Sequence, residues 1–387
     1  MEVKRYLGFS QNVFVLSLIS FFNDVGGETI KRAIPLYLAN ILGVKTSIIG
    51  LIEGIAEATP HVFQPLSGYL SDYYHKRKPI IVVGQILRST MLLLFWAVTW
   101  PQVLYLRFLD RSGKGIGNAP RDALIASSSG ITHEGRSFGL GRAMDDAGSV
   151  VGMIAASLLV GSAVILTQGA FQRIVLLAVI PLFISLLLLV FFVRDVADGH
   201  VKEKLIVHDA FPRKYYVFLA LSFLFTLGNF SDAFLVLKAQ QVGFRLYQIF
   251  LLLGLLNLIA SISGLPLSTL SDRVGRKRLL VTGWALYAAV YTIFAQANAP
   301  IGMISAFILY GIYYGMTQGT AKALVADVVP AGRRGTAYGI YNMVVGVTLL
   351  PASLIAGFLW QAFAPATAFY FGSLTAAAAA IGLLILL

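Results

Sequence analysis

Apolar residues run through this chain in stretches of about 20, the length an α-helix needs to cross the hydrocarbon core of a bilayer. Twelve such stretches are predicted as spanning helices, near 12–38, 46–71, 79–98, 102–127, 136–166, 171–193, 214–240, 246–270, 279–297, 301–326, 335–361 and 366–387. The breaks between them alternate in kind. Tight turns such as Trp100-Pro101 and Asn298-Ala299-Pro300 suit antiparallel helix neighbours, and the intervening loops are basic. The pattern also repeats at an offset of 200: Leu70, Ser71, Asp72 with Lys76, Arg77, Lys78 return as Leu270, Ser271, Asp272 with Arg276, Lys277, Arg278. Ala123 to Ala126 returns as Ala323 to Ala326, and the Gly135 to Gly139 segment as Gly335 to Gly339. A duplication of this size predicts an all-α membrane protein of two pseudo-symmetric six-helix bundles, 1–193 and 214–387, joined by a linker at 194–213, with a site at their interface.

Composition supports lipid rather than water around the surface: 57% of residues are hydrophobic and 12% charged. No cysteine is present, which excludes disulfides and thiolate metal sites. The net charge of +12 would suggest nucleic acid in a soluble protein, but its placement excludes that reading. Seventeen basic residues, from Lys4 to Arg334, fall in one set of loops, against Lys45, Arg173 and Arg245 in the other. The positive-inside rule then puts both termini in the cytoplasm, and the expected location is the inner membrane. The first stretch is too long and too polar within for a signal peptide. The linker, with Asp195, Asp198, His200, Lys202, Glu203, Lys204, His208 and Asp209, reads as a solvated connector. Ala376 to Ala380 reads as small-residue helix packing.

The two halves differ where chemistry is expected. Spans of the first half hold Asp24, Glu28, Lys31, Arg32, Glu53, Glu57, His61, Arg88, Arg107, Asp110, Arg111, Lys114, Arg121, Asp122, Arg142, Asp145 and Asp146, whereas those of the second hold only Asp232, Lys238, Lys322 and Asp327. A charge at membrane depth is costly, so these residues must face a cavity or one another. Helical spacing gathers Asp24, Glu28 and Lys31, then Glu53, Glu57 and His61, then Arg107, Asp110 or Arg111, and Lys114 into three polar stripes. Two readings stay open, a structural salt-bridge lattice and a proton-coupling device in which neighbours retune carboxylates as the protein changes shape. Glu53 and Glu57, one turn apart, are expected not to ionise together easily, with Arg111 as their partner. The coupling candidates are Asp24, Glu28, Glu53, Glu57, Asp110, Arg111, Asp145 and Asp146. Candidates for holding a solute are Lys31, Arg32, His61, Arg107, Lys114 and Arg142, with Asn229, Asp232, Asn257, Tyr310, Tyr314, Gln318, Tyr341 and Asn342 as a softer lining. Glu28, Glu53, Glu57 and His61 could ligate a divalent metal, but their spacing spreads the ligands too widely. Gly113-Lys114-Gly115 lacks the spacing of a phosphate loop, and Ser127 to Ser129 lack a histidine partner, so neither ATP chemistry nor an enzyme is expected, and no cofactor is implied.

The segment Gly68-Tyr69-Leu70-Ser71-Asp72-Tyr73-Tyr74-His75-Lys76-Arg77-Lys78-Pro79 resembles the loop signature between helices two and three of the major facilitator superfamily. Ser271 to Arg278 resembles its second copy. Arg111, Gly115, Gly117 and Ala119 are similar to that family's fourth-helix pattern, and Arg107 to Gly115 with Ala119 to Leu124 resembles a bacterial, efflux-annotated group within it. His75 and Tyr73 stand where the family usually has glycine and arginine. Gly148 and Gly152 lack the Gly-Pro pair of drug–proton antiporters. The resemblance implies the major facilitator fold. It also implies a gate in which Gly68 allows close helix approach, Asp72 meets the start of the eleventh helix near Gly335, and Lys76 or Arg77 pairs with Asp122, with Asp272, Arg276 and Asp327 as the repeated set. The resulting expectation is a monomeric secondary transporter exporting a small amphipathic compound by alternating access, coupled to protons. Uptake or exchange of a small organic anion is the second reading, and divalent-metal transport or a receptor without flux the remaining ones.

Overall fold

The computed structural model describes residues 5–6, 8–74, 76–129, 134–196, 210–330 and 333–387. The Asp272 side chain, His75 and the linker segment 197–209 lie outside the described residues. After a two-residue antiparallel pairing of Arg5–Tyr6 with Phe9–Ser10, the chain is helical: α1 Gln11–Asn40, α2 Thr46–Tyr74, α3 Lys78–Ser89, α4 Trp100–Ser129, α5 Glu134–Val160, α6 Gln168–Phe192, α7 Arg213–Gly228, α8 Ala233–Gln241, α9 Leu246–Val274, α10 Arg276–Gln296, α11 Pro300–Val328, α12 Arg334–Ala362 and α13 Pro365–Leu386. Helix starts follow local chemistry. The Ser10 hydroxyl accepts from the amide of Val13, the Thr167 hydroxyl from that of Ala170, and proline opens α11 and α13. Between α9 and α10, Gly275 takes φ +98, a backbone region closed to most side chains, which accounts for the glycine of the loop signature in the second half.

Two predicted spans are interrupted. The third continues from α3 as a 3-10 stretch, Thr90–Trp96. The seventh, expected as one helix, breaks between α7 and α8 at Asn229 to Asp232. The polar groups freed by this break find partners, as backbone in a membrane must: the Tyr287 hydroxyl donates to the Gly228 carbonyl at 2.9 Å and the Ser231 amide to the Ser353 hydroxyl at 3.2 Å. Among the described residues, ten segments are long and apolar enough to span a bilayer; α2 and α4 fall short because their faces carry charge.

Two six-helix bundles face each other along two seams, α2 against α12 and α5 against α9. The end of the molecule carrying Lys76 to Lys78 is here the basic end, the opposite one the far end. At the far end both seams are closed. Thr46 donates to the Gly357 carbonyl at 3.2 Å and the Leu246 amide to the Ala163 carbonyl at 2.9 Å, while Gln240 reaches the Val164 carbonyl at 3.0 Å. Gly50 and Gly357 make this approach possible: a Cβ on Gly357 would lie 2.5 Å from the Thr46 carbonyl oxygen, and one on Gly50 would strike the Ser353 carbonyl.

Toward the basic end the seams part. Asp72 and Tyr73 are exposed, and nothing lies within 4 Å of a Cβ placed on Gly335, so the expected contact between Asp72 and the start of α12 is not made in this conformation. The expected pairing with Asp122 is also replaced. Arg77 extends to the Ala123 carbonyl at 2.9 Å and the Ser127 hydroxyl at 2.7 Å, while Asp122 receives Arg121 at 3.3 Å. Arg276 repeats the first arrangement on the Ala323 carbonyl and Asp327. Arg77 and Arg276 thus tie α3 to α4 and α10 to α11 within their own bundles. Asp195, just past α6, accepts from the amides of Arg77 and Lys78 at the start of α3, at 3.1 and 2.8 Å, and fixes that end of the first bundle. Lys76 is exposed, and Gly68 lets α2 approach Ala119 of α4 rather than the other bundle.

Because the chain has no native cysteine, the asymmetry is directly testable. A Ser47→Cys, Gln361→Cys pair, at positions already in contact across the closed seam, is expected to cross-link rapidly under mild oxidation, and an Asp72→Cys, Gly335→Cys pair slowly; equal rates would contradict closure at the far end alone.

Candidate functional site

The three polar stripes predicted on α1, α2 and α4 meet at the centre of the molecule. Two close approaches bring the helices together there, Gly115 of α4 against Pro60 of α2 and Gly113 of α4 against Gly84 of α3. Arg107, fully buried, donates from Nη2 to both carboxylate oxygens of Glu53, at 3.0 and 3.1 Å. Arg111 donates to Glu57 at 2.8 Å and to the Ala56 carbonyl at 3.1 Å, and Lys31 reaches the other oxygen of Glu57 at 3.0 Å. Glu28 lies 3.6 Å from Arg32 and 3.9 Å from Lys31, and Asp110 lies 3.7 Å from Arg88 and 3.9 Å from Arg107. The expectation that Glu53 and Glu57 share one partner and resist joint ionisation is corrected: each carboxylate has its own arginine.

The second half contributes at one point. Arg32 donates to Asp232 at 2.8 Å, and the Tyr310 hydroxyl holds the other oxygen of Asp232 at 3.1 Å. Arg32 and Asp232 stand 200 residues apart. They are the same position of the two repeats, and they meet where the pseudo-symmetry axis crosses the interface. Beside them, Ser231 donates to Glu53 at 3.2 Å, so the break in the seventh span brings a guanidinium and a carboxylate of the first half onto the second. Ser231 and Arg88 are working members of the lattice that sequence reasoning did not place in it. Arg88 was visible as a charge inside a span, and Ser231 as part of a polar interruption in an apolar one.

Toward the basic end the charges become accessible. Arg142, 57% exposed, lies 3.4 Å from Asp146 and donates to Gln318 of the other bundle at 3.0 Å. Arg121 donates to the Ser20 hydroxyl at 2.8 Å, and Asp145 lies near it. Exposed Arg142, Gln318 and Lys322 at helix positions within spans require water rather than lipid beside them, and they mark a vestibule between the bundles. His61 packs against Gly346 at its inner edge, where a Cβ on Gly346 would overlap the imidazole. Among the predicted solute-lining residues, Asn257, Tyr314 and Asn342 are half-buried. Tyr310 is fully buried in an aromatic core with Tyr287, Tyr291 and Tyr313, Tyr341 stacks on Phe218 at 5.7 Å, and Asn229 accepts from Tyr287 at 3.3 Å. Tyr310, Tyr341 and Asn229 therefore serve packing and the helix break rather than a solute-facing wall.

Two charges of the lattice are left over. Asp24 of α1 has only the Ser149 hydroxyl, at 3.4 Å, and Lys114 of α4 has no ion-pair or hydrogen-bond partner among the described residues. Each is near enough for its charge to act on the other.

Removing one partner of a buried pair strands the other, which costs about 3–5 kcal/mol, whereas removing both is often nearly neutral. Arg107→Met alone is expected to lower the thermal midpoint of the detergent-purified protein sharply, and Arg107→Met with Glu53→Gln to recover most of the loss. Arg142→Met, at an exposed pair, should change it little.

The model of the Major Facilitator Superfamily matches residues 16–348 and 217–387. An uncharacterised MFS-type transporter of Methanocaldococcus jannaschii is 35% identical over 381 residues, covering 95% of this chain and 92% of that protein. The multi-drug resistance efflux pump PmrA of Streptococcus pneumoniae is 26% identical over 342 residues, covering 81% of each. Among solved structures, a mutant of the nucleoside transporter NupG superposes with a TM-score of 0.80 at 12% identity, over 96% of this chain and 98% of that one. With the family model over most of its length, a full-length relative and the same twelve-span fold, this chain belongs to the Major Facilitator Superfamily of membrane transporters.

Proposed function

We propose that the protein is a proton-coupled secondary transporter that exports a small organic solute by alternating access, with the basic end in the cytoplasm. The observation that carries this reading is the state of the two ends: seams closed at the far end, a polar vestibule open at the basic end, and between them Arg32 with Asp232, the single inter-bundle ion pair among the described residues. A pair made from equivalent positions of two repeats lies across the interface between the bundles, so rocking one bundle against the other about an axis in the membrane plane separates the partners without disturbing either bundle. The distribution of loop charge supports the orientation. The efflux pump among the relatives supports the direction.

The coupling group is Asp24. Glu28, Glu53, Glu57, Asp110 and Asp232 all lie within ion-pair distance of arginine or lysine. Asp24 is half-buried with only a hydroxyl in contact, and the charges of Lys114, Asp145, Glu28 and Arg88 act on it from α4, α5, α1 and α3. A carboxylate so placed changes its proton occupancy when its surroundings change between wet and dry. The organic-anion reading loses most of its clamp, since Lys31, Arg32, Arg107 and Arg111 are each committed to acids of the lattice.

In a Ser353→Cys background, whose thiol sits in the closed seam, either Arg32→Gln or Asp232→Asn is expected to raise the labelling rate by an impermeant thiol reagent from the far side about tenfold, a shift of roughly 1.4 kcal/mol. Arg32→Asp combined with Asp232→Arg should restore slow labelling. Unchanged rates would remove the ion pair from the gate. The same reporter is expected to respond to pH between mildly acidic and mildly alkaline buffer in the parent, and to lose that response in Asp24→Asn. A retained response would assign coupling elsewhere.

A further inference from the structure

The charge balance of the lattice points to the kind of solute. Five acids, Glu28, Glu53, Glu57, Asp110 and Asp232, are matched by five bases, Lys31, Arg32, Arg88, Arg107 and Arg111, all within ion-pair distance. Apart from Asp145 and Lys322 nearer the opening, Asp24 and Lys114 remain, on neighbouring helices of the first bundle, with no ion-pair partner among the described residues and not in contact with each other. We infer that they are the two ends of a binding site for a small zwitterion, an aliphatic amino acid or a related compound, with its ammonium on Asp24 and its carboxylate on Lys114. This inference rests on the transport reading and gives it a substrate class.

The alternatives fail on electrostatics. With Asp24 ionised, a monovalent cation on it would leave Lys114 uncompensated, and an anion on Lys114 would leave Asp24 so; either complex carries net charge into a low-dielectric site as the protein closes over it, unless a proton on Asp24 accompanies the anion. A zwitterion satisfies both and leaves the lattice neutral. The geometry agrees with a bridging solute. Asp24 lies on α1 beside Ser149 of α5, whose hydroxyl orients it, and Lys114 lies across from it on α4, with Glu28 contributing to the field at both. Asp145, another span acid without an ion-pair partner among the described residues, lies near Arg121, which holds Ser20 and Asp122. The second half brings Lys322 to the vestibule, near His61. Half-buried Tyr314 and Asn257 offer a ring and an amide to an aliphatic body rather than a third charge.

The test uses the full-length protein in detergent and four probes of increasing length, glycine, β-alanine, γ-aminobutyrate and δ-aminovalerate, each beside the amine and the carboxylate of the same chain length. Binding is read by calorimetry and by thermal shift. At least one probe is expected to bind about tenfold more tightly than both of its single-charge analogues. Asp24→Asn should remove its advantage over the carboxylate, and Lys114→Gln its advantage over the amine. Asp24→Glu and Lys114→Arg, which keep the charges, should retain part of both and report that the loss is not one of folding. If no probe exceeds both analogues, or if the neutral variants keep the preference, the assignment is overturned. Counterflow of the same probes in proteoliposomes separates this claim from the one beneath it. Selective binding without movement leaves the site and removes transport; movement of single-charge solutes with no preference for zwitterions leaves transport and removes the site.

Discussion

A charge inside a membrane protein must be matched by another charge or by water, and that constraint organises the centre of this molecule. It explains why the acids and bases of α1, α2 and α4 interleave. It explains why the glycines that draw α2, α3 and α4 together sit beside them. It also explains why the second half, with few charges of its own, offers Asp232 where the first half presents the buried Arg32 to it. Breaking the seventh span at Asn229 to Asp232 frees backbone groups, which Tyr287 and Ser353 satisfy, and the break is what turns Asp232 and Ser231 toward the first half.

The paired charges and the unpaired ones do different work. A buried arginine–carboxylate pair such as Arg107 with Glu53 contributes little net stability over apolar packing but fixes which surfaces meet, since any other register strands a charge. Such pairs make the first bundle a rigid body. The interface between bundles depends on one such pair and on small-residue contact along the seams, so it can be separated at the cost of a few interactions, as switching between two packed arrangements requires. The unpaired Asp24 and Lys114 lie where that separation changes the solvent.

Most of the architecture was legible in the sequence because hydrophobic length and the 200-residue duplication both report on it directly. The polar stripes were legible too, since Asp24, Glu28 and Lys31 can share a helix face only if the segment is helical. Partner choice was not. Spacing places Glu53 and Glu57 on one face of α2 but says nothing of the rotation of α4, which decides that Arg107 and Arg111 meet them one to one. The tyrosines of α11 misled for a related reason: polar aromatic residues at helical spacing look alike whether they face a cavity or, like Tyr310 and Tyr313, one another. The contact of Asp72 that the loop signature implied is not made here, and a single sequence encodes every state of a moving protein without saying which is adopted. Asp232 was visible as a charge in a span, and its repeat mate Arg32 stood 200 residues before it, so the central pair was readable from the duplication alone.

The central claim is that the two ends open in opposition, with Arg32 and Asp232 holding the far end shut. Spin–spin distances across both ends, measured in lipid nanodiscs with one label pair at Lys45 and Phe363 and another at Tyr73 and Gly335, test it most directly. The account predicts short distances at the far end with long ones at the basic end in the parent protein, and the reverse population growing in Asp232→Asn. Two ends that widen together, or a far end indifferent to the loss of Asp232, would contradict it.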